Sequence, residues 1–425
     1  MALSMQVGML LQGVVLGLLS SWGLWLFLVP RLWPAKHPED RGKEAYQTTT
    51  PMPTPAPLNK SVQSEARKAP HATCCYPGIR CKKNHTEEDV YNIFVLSCLP
   101  ENNGNEAVEV FRPMWDTVYR GLQSRSAECG YHVFLMASHH ASVNFVFPVE
   151  PRKGDVVILA GHQESQRFLE LCGSTFGPRE VYCIWFFSEL EVQGPATYMQ
   201  PGLCEVWEYT RANAPKARVV RYTPPGFLPP MNPLSANDDA VQQSVKGYNF
   251  TPAGTRPKLR FIGTGSPWRD KCRGFLKKAH NRPLLANFEE FPVWGGGWRS
   301  LVTNSGVVYL NMHRYCNDSS MYKRSPRPLE TVRLSLLLSM GAVVLSEQSN
   351  VKDTEIFEDL VLFEPNLFSK LPWSSKVQKV LSDKNEYMAW QMNAYKLFKE
   401  KFNPRQVMLD ANVWDGGYLA RGHCA

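Results

Sequence analysis

The chain predicts an α/β protein with two doubly wound domains facing one another behind an apolar N-terminal segment. Three observations carry this. Short apolar runs alternate with amphipathic stretches, which is the order of a parallel sheet with crossover helices. The runs are apolar at nearly every position, as strands covered on both faces are. The alternation also occurs twice, on either side of a proline cluster at Pro224 to Pro233 and a polar tract reaching Pro257. At 425 residues and 44% apolar content, the chain has enough material for two cores.

The first element is Met1 to Pro30, which has no charged side chain and gathers tryptophans toward its carboxyl end. At 1.5 Å per residue such a segment spans a bilayer core of roughly 30 Å. It predicts a single transmembrane anchor over residues 1–33. The rival reading is a cleaved signal peptide, but the apolar run is long, no basic segment precedes it and no clean small-x-small site follows. Residues 34–85, with TTTPMPTPAP at 48–57, lack an apolar period through 73 and predict a disordered stem.

Orientation is contested within the sequence. Arg31, Lys36, Arg41 and Lys43 follow the anchor, which favours a cytosolic domain. The sequons at Asn59, Asn84, Asn249 and Asn317 and the eleven cysteines favour the lumen of the Golgi or ER. Cys74, Cys75 and Cys81, lying near the start of the folded region, are better explained by disulfides than by a core, so the lumenal side is preferred.

Residues 86–230 predict the first domain. Its strands are Tyr91 to Leu99, Tyr131 to Ala137, Asp155 to Ala160, Val181 to Phe187, Glu205 to Tyr209 and Ala217 to Tyr222. A helical stretch over Asn105 to Cys129 is closed by Gly130, and another lies at Gln163 to Leu171. Residues 231–257 form a connector. The second domain, 258–384, opens with a strand at Leu259 to Ile262, the turn Gly263-Thr264-Gly265-Ser266-Pro267 and a basic helix from Trp268 to His280. A strand is expected at Pro283 to Ala286, and the GGGW of 295–298 reads either as a closing loop or as a linker turn. Residues 385–425 hold a last amphipathic helix, Asn385 to Lys401, and a tail.

The most informative stretch is Val307 to Glu347. It reads as a strand (Val307 to Leu310), a polar loop, a helix (Leu329 to Met340) stopped by Gly341, and a strand (Ala342 to Leu345). Asn311, His313, Arg314, Glu330, Arg333, Ser346 and Glu347 all fall at carboxyl ends of strands or at the helix start, where open parallel sheets bind ligands. In the first domain, His139 and His140 follow one strand, and Glu189 and its competitor Glu191 follow another. Each has a plainer reading. His313 also suits a buried histidine bonded to backbone, Glu330 and Arg333 an i,i+3 helix pair, and the two histidines a loop surface. Tyr209 and Arg211 are expected to shape the cleft between the domains rather than to react.

Composition excludes several classes. Net charge is only +8, with no run of five basic residues, so no nucleic-acid partner is expected. No C-x-x-C pair suggests zinc, no G-x-S-x-G a serine hydrolase, and neither half has a full dinucleotide fingerprint, which disfavours a dehydrogenase.

In chain order, PPGF at 224–227, FIGTGSPWRDK at 261–271, VYLNMHRY at 308–315, PRPLETVR at 326–333 and GAVVLSE at 341–347 resemble GT-B type nucleotide-sugar glycosyltransferases, in particular those with a family 1/4-like C-terminal domain. The resemblance covers about 180–425 by motif and 88–180 by topology. It implies two facing Rossmann-like domains, with donor nucleotide on the second and acceptor on the first. The implied activity is sugar transfer from a nucleoside-diphosphate-sugar to a glycan or glycoprotein acceptor. Catalytic roles would fall to Glu189, His313 and Arg333, donor contacts to Gly263, Thr264, Gly265, Arg269, Asn311, Glu330 and Glu347, and acceptor contacts to His139, His140 and Glu191. The chain departs from the pattern at Leu336, which stands where many members have a ribose-binding carboxylate. No Asp-x-Asp occurs, so neither metal nor other cofactor is expected. The alternative is a non-catalytic carbohydrate- or nucleotide-binding module tethered to a membrane.

Overall fold

The computed structural model describes residues 78–82, 84–98, 104–138, 147–161, 179–187, 205–211, 221–228, 257–263, 267–278, 288–291, 307–313 and 329–416. The expected anchor at 1–33, all of the connector at 231–257 but Pro257, the helix at 163–171 and the GGGW loop lie outside them. Among the described residues no helix is long and apolar enough to cross a membrane.

Six strands form the first sheet: β1 (Tyr91–Cys98), β2 (Tyr131–Ser138), β3 (Val156–Gly161), β4 (Tyr182–Phe187), β5 (Glu205–Glu208) and β6 (Arg221–Tyr222). Their order is β2-β1-β3-β4-β5-β6 and every pairing is parallel. The second sheet has β7 (Lys258–Ile262), β8 (Phe288–Phe291), β9 (Val307–Asn311), β10 (Val343–Ser346) and β11 (Leu362–Phe363), in the order β11-β10-β9-β7-β8, again all parallel. Counted within each half, both sheets begin 2-1-3-4-5. The chain therefore reverses its direction of winding between the first and third strand of each, and a crevice opens at the carboxyl ends there.

The central strands β1, β3, β9 and β10 are mostly apolar because both faces are covered. Along β1, Ile93 and Val95 face a central core that spans both halves, while Phe94 and Leu96 face a separate core on the other side. Tyr309 of β9 and Val344 of β10 join the same central core, and Val308, Leu310, Val343 and Leu345 pack outward. This is period-2 alternation with no polar face.

Helices fill the layers: α1 (Gly104–Gln123), α2 (Ser126–Cys129), α3 (Pro267–Lys278), α4 (Thr331–Ser339), α5 (Val351–Phe357), α6 (Ser375–Ser382), α7 (Lys384–Lys401) and α8 (Pro404–Asp410). The single helix expected over 105–129 is broken at Ser124 and Arg125, and Gly130 closes the second piece with φ 70°. The strand expected at 283–286 falls outside the described residues, and the edge strand begins at Phe288. Helix α4 starts later than expected, with Glu330 at the N-cap, and ends before Gly341 in a left-handed conformation, φ 69°.

The chain's end returns to the first sheet. Gly416 N–H donates to the Ile79 carbonyl at 2.9 Å, and Trp414 Nε1 donates to Tyr131 Oη at 2.8 Å. Arg221, buried on β6, donates to Glu205, to Asp415 and to the Ala411 and Asn412 carbonyls. Cys81 is disulfide-bonded to Cys129, which fastens residues 78–82 to the end of α2.

Candidate functional site

The switch point of the second sheet lies between β7 and β9, so the residues that follow these strands line its crevice. After β7 comes Gly263, and after β9 come Met312 and His313. The sequence puts them there because each apolar run ends where a polar or glycine residue begins.

Helix α4 delivers Arg333 to this point. Its side chain is buried, and Nη1 donates to Asn311 Oδ1 at 3.0 Å and to the Met312 carbonyl at 3.1 Å. The guanidinium also lies over the Phe261 ring, 5.4 Å from its centroid. From the other direction, α3 brings the buried Arg269 over the same ring at 5.3 Å. Burial pulls the Arg333 pKa down, opposed by the charges of Glu330 and Glu347. A desolvated cation of this kind gains from any anion that enters beside it.

A polar chain fixes the end of β9. Asn311 Nδ2 donates to Ser346 Oγ at 3.1 Å, across the β9–β10 pair. Glu347 Oε1 accepts the His313 N–H at 2.7 Å and stands 2.8 Å from ring Nδ1. His313, Asn311, Ser346 and Glu347 are all buried, so each of these bonds holds its partner in one place.

Of the residues singled out in the sequence, Gly263, Arg269, Asn311, His313, Arg333 and Glu347 are brought to the carboxyl ends of β7, β9 and β10. Glu330 is half-buried at the α4 N-cap, where its side chain caps no backbone N–H. Its expected place in the first turn is therefore corrected, because the helix begins at Thr331 and not at Leu329. It remains close enough to Arg333 to act on its charge. His139, His140, Glu189, Glu191, Thr264 and Gly265 lie outside the described residues.

Two positions at the site were missed. Phe261 reads in the sequence only as a core strand residue, and nothing there marks the two cations around it. Asp353 of α5 reads as the third residue of a capping box begun by Asn350, whose side chain does accept the Asp353 N–H. Its carboxylate does more, accepting from Thr210 Oγ1 at 2.5 Å and from the Arg211 N–H at 2.9 Å. Thr210 and Arg211 follow β5, and α5 follows β10, so the carboxyl edges of the two sheets meet here. Arg211 lies over the Tyr222 ring at 4.4 Å.

No protein-family model matches the chain, and no curated protein sequence matches it. Among solved structures it is similar to WaaG, a glycosyltransferase involved in lipopolysaccharide biosynthesis, at 13% identity and a TM-score of 0.42, covering 77% of this chain and 100% of that one. It is similar to Anabaena HepE in complex with UDP and glucose at 8% identity and a TM-score of 0.41, covering 74% and 96%. An α1,3-fucosyltransferase aligns at 8% identity and a TM-score of 0.40, covering 80% and 95%.

Proposed function

We propose that the chain is a glycosyltransferase that moves a sugar from a nucleoside-diphosphate-sugar to a glycan or glycoprotein hydroxyl, without a metal ion. The observation that carries this reading is the convergence of two buried guanidiniums, Arg269 and Arg333, on the ring of Phe261, which abuts Gly263 at the switch point of the second sheet. Transfer breaks the bond between the anomeric carbon and a diphosphate oxygen, and the electron pair leaves with that oxygen. Two fixed cations and the backbone amides of a glycine turn stabilise the charge that develops there. The acceptor hydroxyl forms the new bond, and its proton passes to a base on the first half, for which Glu189 is the candidate.

In this reading the donor lies against Asn311, His313, Arg333 and Glu347, with Glu330 at its margin. His139, His140 and Glu191 are the candidates for acceptor contact. The chain is a single-pass membrane protein with its folded part in the secretory lumen. Supporting this, Cys81, Cys129, Cys183 and Cys272, the cysteines whose side chains are described, are all disulfide-bonded, and Asn84 of a sequon is exposed.

A panel of UDP-, GDP-, ADP- and CMP-sugars, assayed for transfer, hydrolysis and binding, tests the chemistry. Turnover with one donor that is lost in Arg333→Ala is expected, and no transfer, hydrolysis or binding with any donor ends the proposal. Glycosidase treatment of the protein from cells tests the orientation, because a mass shift requires a lumenal domain.

A further inference from the structure

We infer that Phe261 is a positioning residue for the anion site, its ring holding the guanidiniums of Arg269 and Arg333 in place while its edge sets the position of the turn at Gly263. The inference rests on the reading that these two arginines receive the donor's diphosphate.

Phe261 is fully buried, and both guanidinium carbons lie over its ring, at 5.3 Å for Arg269 and 5.4 Å for Arg333. Two cations brought this close to a common point repel each other. An aromatic face, with its negative quadrupole, attracts both and offsets part of that repulsion. An aliphatic side chain fills the same volume without doing so. Arg333 has a second hold in Asn311 and the Met312 carbonyl, so its position is fixed by β9 and by the ring together.

The ring also meets the turn. A Cβ placed on Gly263 would sit 2.8 Å from Phe261 Cζ and 3.2 Å from Cε1. The ring is fully buried, so it retreats only by displacing its neighbours. Gly263, at φ 157°, therefore rests with its backbone against the tip of Phe261, in space that a side chain would need. The site comes to the anion already arranged, which spares the cost of ordering two long side chains on binding.

The test is calorimetric binding of inorganic pyrophosphate to the full chain, with phenylalanine, 4-fluoro-, 3,5-difluoro- and 3,4,5-trifluorophenylalanine at position 261, and with Phe261→Leu. Fluorine withdraws π density with little change in shape, so the core stays filled. Pyrophosphate affinity is expected to fall stepwise along the series and by about tenfold in Phe261→Leu, the scale of two partly desolvated cation–π contacts. Unchanged affinity across the fluorinated series, while Arg333→Ala abolishes binding, leaves the diphosphate site standing and overturns the inference. If the unmodified protein binds neither pyrophosphate nor any nucleoside diphosphate, the functional reading falls and takes this inference with it.

Discussion

Glu347 Oε1 holds His313 twice, accepting its backbone N–H at 2.7 Å and standing 2.8 Å from its ring nitrogen. One carboxylate at the end of β10 thus holds the main chain after β9 and stands beside the ring it carries. Glu347→Ala is expected to lower donor turnover at least tenfold and to cost about 1–3 kcal/mol of stability, since it strands a buried N–H. Glu347→Gln keeps an acceptor for that N–H but not the charge, so it should recover most of the stability and little of the turnover. Thermal unfolding and initial rates on the same preparations check both.

Arg221 presents the opposite case, a buried ion pair remote from the site. Burial pulls its pKa down, but Glu205 and Asp415 outweigh that and the net shift is upward. Arg221→Met removes the cation and leaves the Glu205 carboxylate buried, with Tyr182 and Trp207 still donating to it. Breaking a buried pair in this way costs about 3–5 kcal/mol. Urea unfolding should show that loss, and the rate per folded molecule should stay within twofold. A larger drop in rate would mean that the chain's return to the first sheet also sets the site.

Tyr131 gives the fold an alkaline limit. Burial pushes its phenol up to about 12, against the Trp414 hydrogen bond and Arg125, which lower it. The native state therefore favours the protonated form. That stabilisation is complete below the unfolded value near 10 and is lost as pH rises toward 12, on the order of 2 kcal/mol in all. Unfolding free energies measured across this window should fall with pH. The fall should be shallower in Tyr131→Phe, which has no phenol to ionise.

Much of this was legible from residue type alone. Apolar runs such as VVYL at 307–310 announce strands covered on both faces, and Gly130 and Gly341 announce helix ends that adopt positive φ. Arg333, Asn311 and Glu347 could be placed in one crevice because strand ends are legible and parallel sheets bind at them. What stayed hidden depends on contacts far apart in the chain. Phe261 looks like any core aromatic, Asp353 like a cap, and Arg221 like a surface charge, because their partners lie on elements whose relative position no local pattern encodes. Glu330 moved for a smaller reason. Helix α4 begins at Thr331 rather than at Leu329, and that shift moves a carboxylate from the helix to its threshold.

Helix α4 also joins the two halves by a row of hydroxyls at i, i+4 and i+8. Thr331 Oγ1 reaches the Tyr209 carbonyl at 3.5 Å, Ser335 Oγ donates to the Gly226 carbonyl at 2.5 Å, and Ser339 Oγ accepts the Leu228 N–H at 3.0 Å. Arg333, two residues from Thr331 and two from Ser335, points away from this row toward β9, because residues two apart do not share a helix face. The side that carries the cation and the side fastened to the first half are therefore separable. Ser335→Ala and Ser339→Ala should each cost about 1–2 kcal/mol, the range for leaving a buried backbone group unpaired. Combined with Thr331→Val, they should slow transfer to acceptor several-fold while leaving nucleotide affinity unchanged, since Asn311 and Met312 still hold Arg333. Calorimetry with the preferred nucleotide, alongside transfer rates, separates the two effects. Loss of nucleotide affinity in the triple variant would show that the hydroxyl row, and not β9, keeps Arg333 in place.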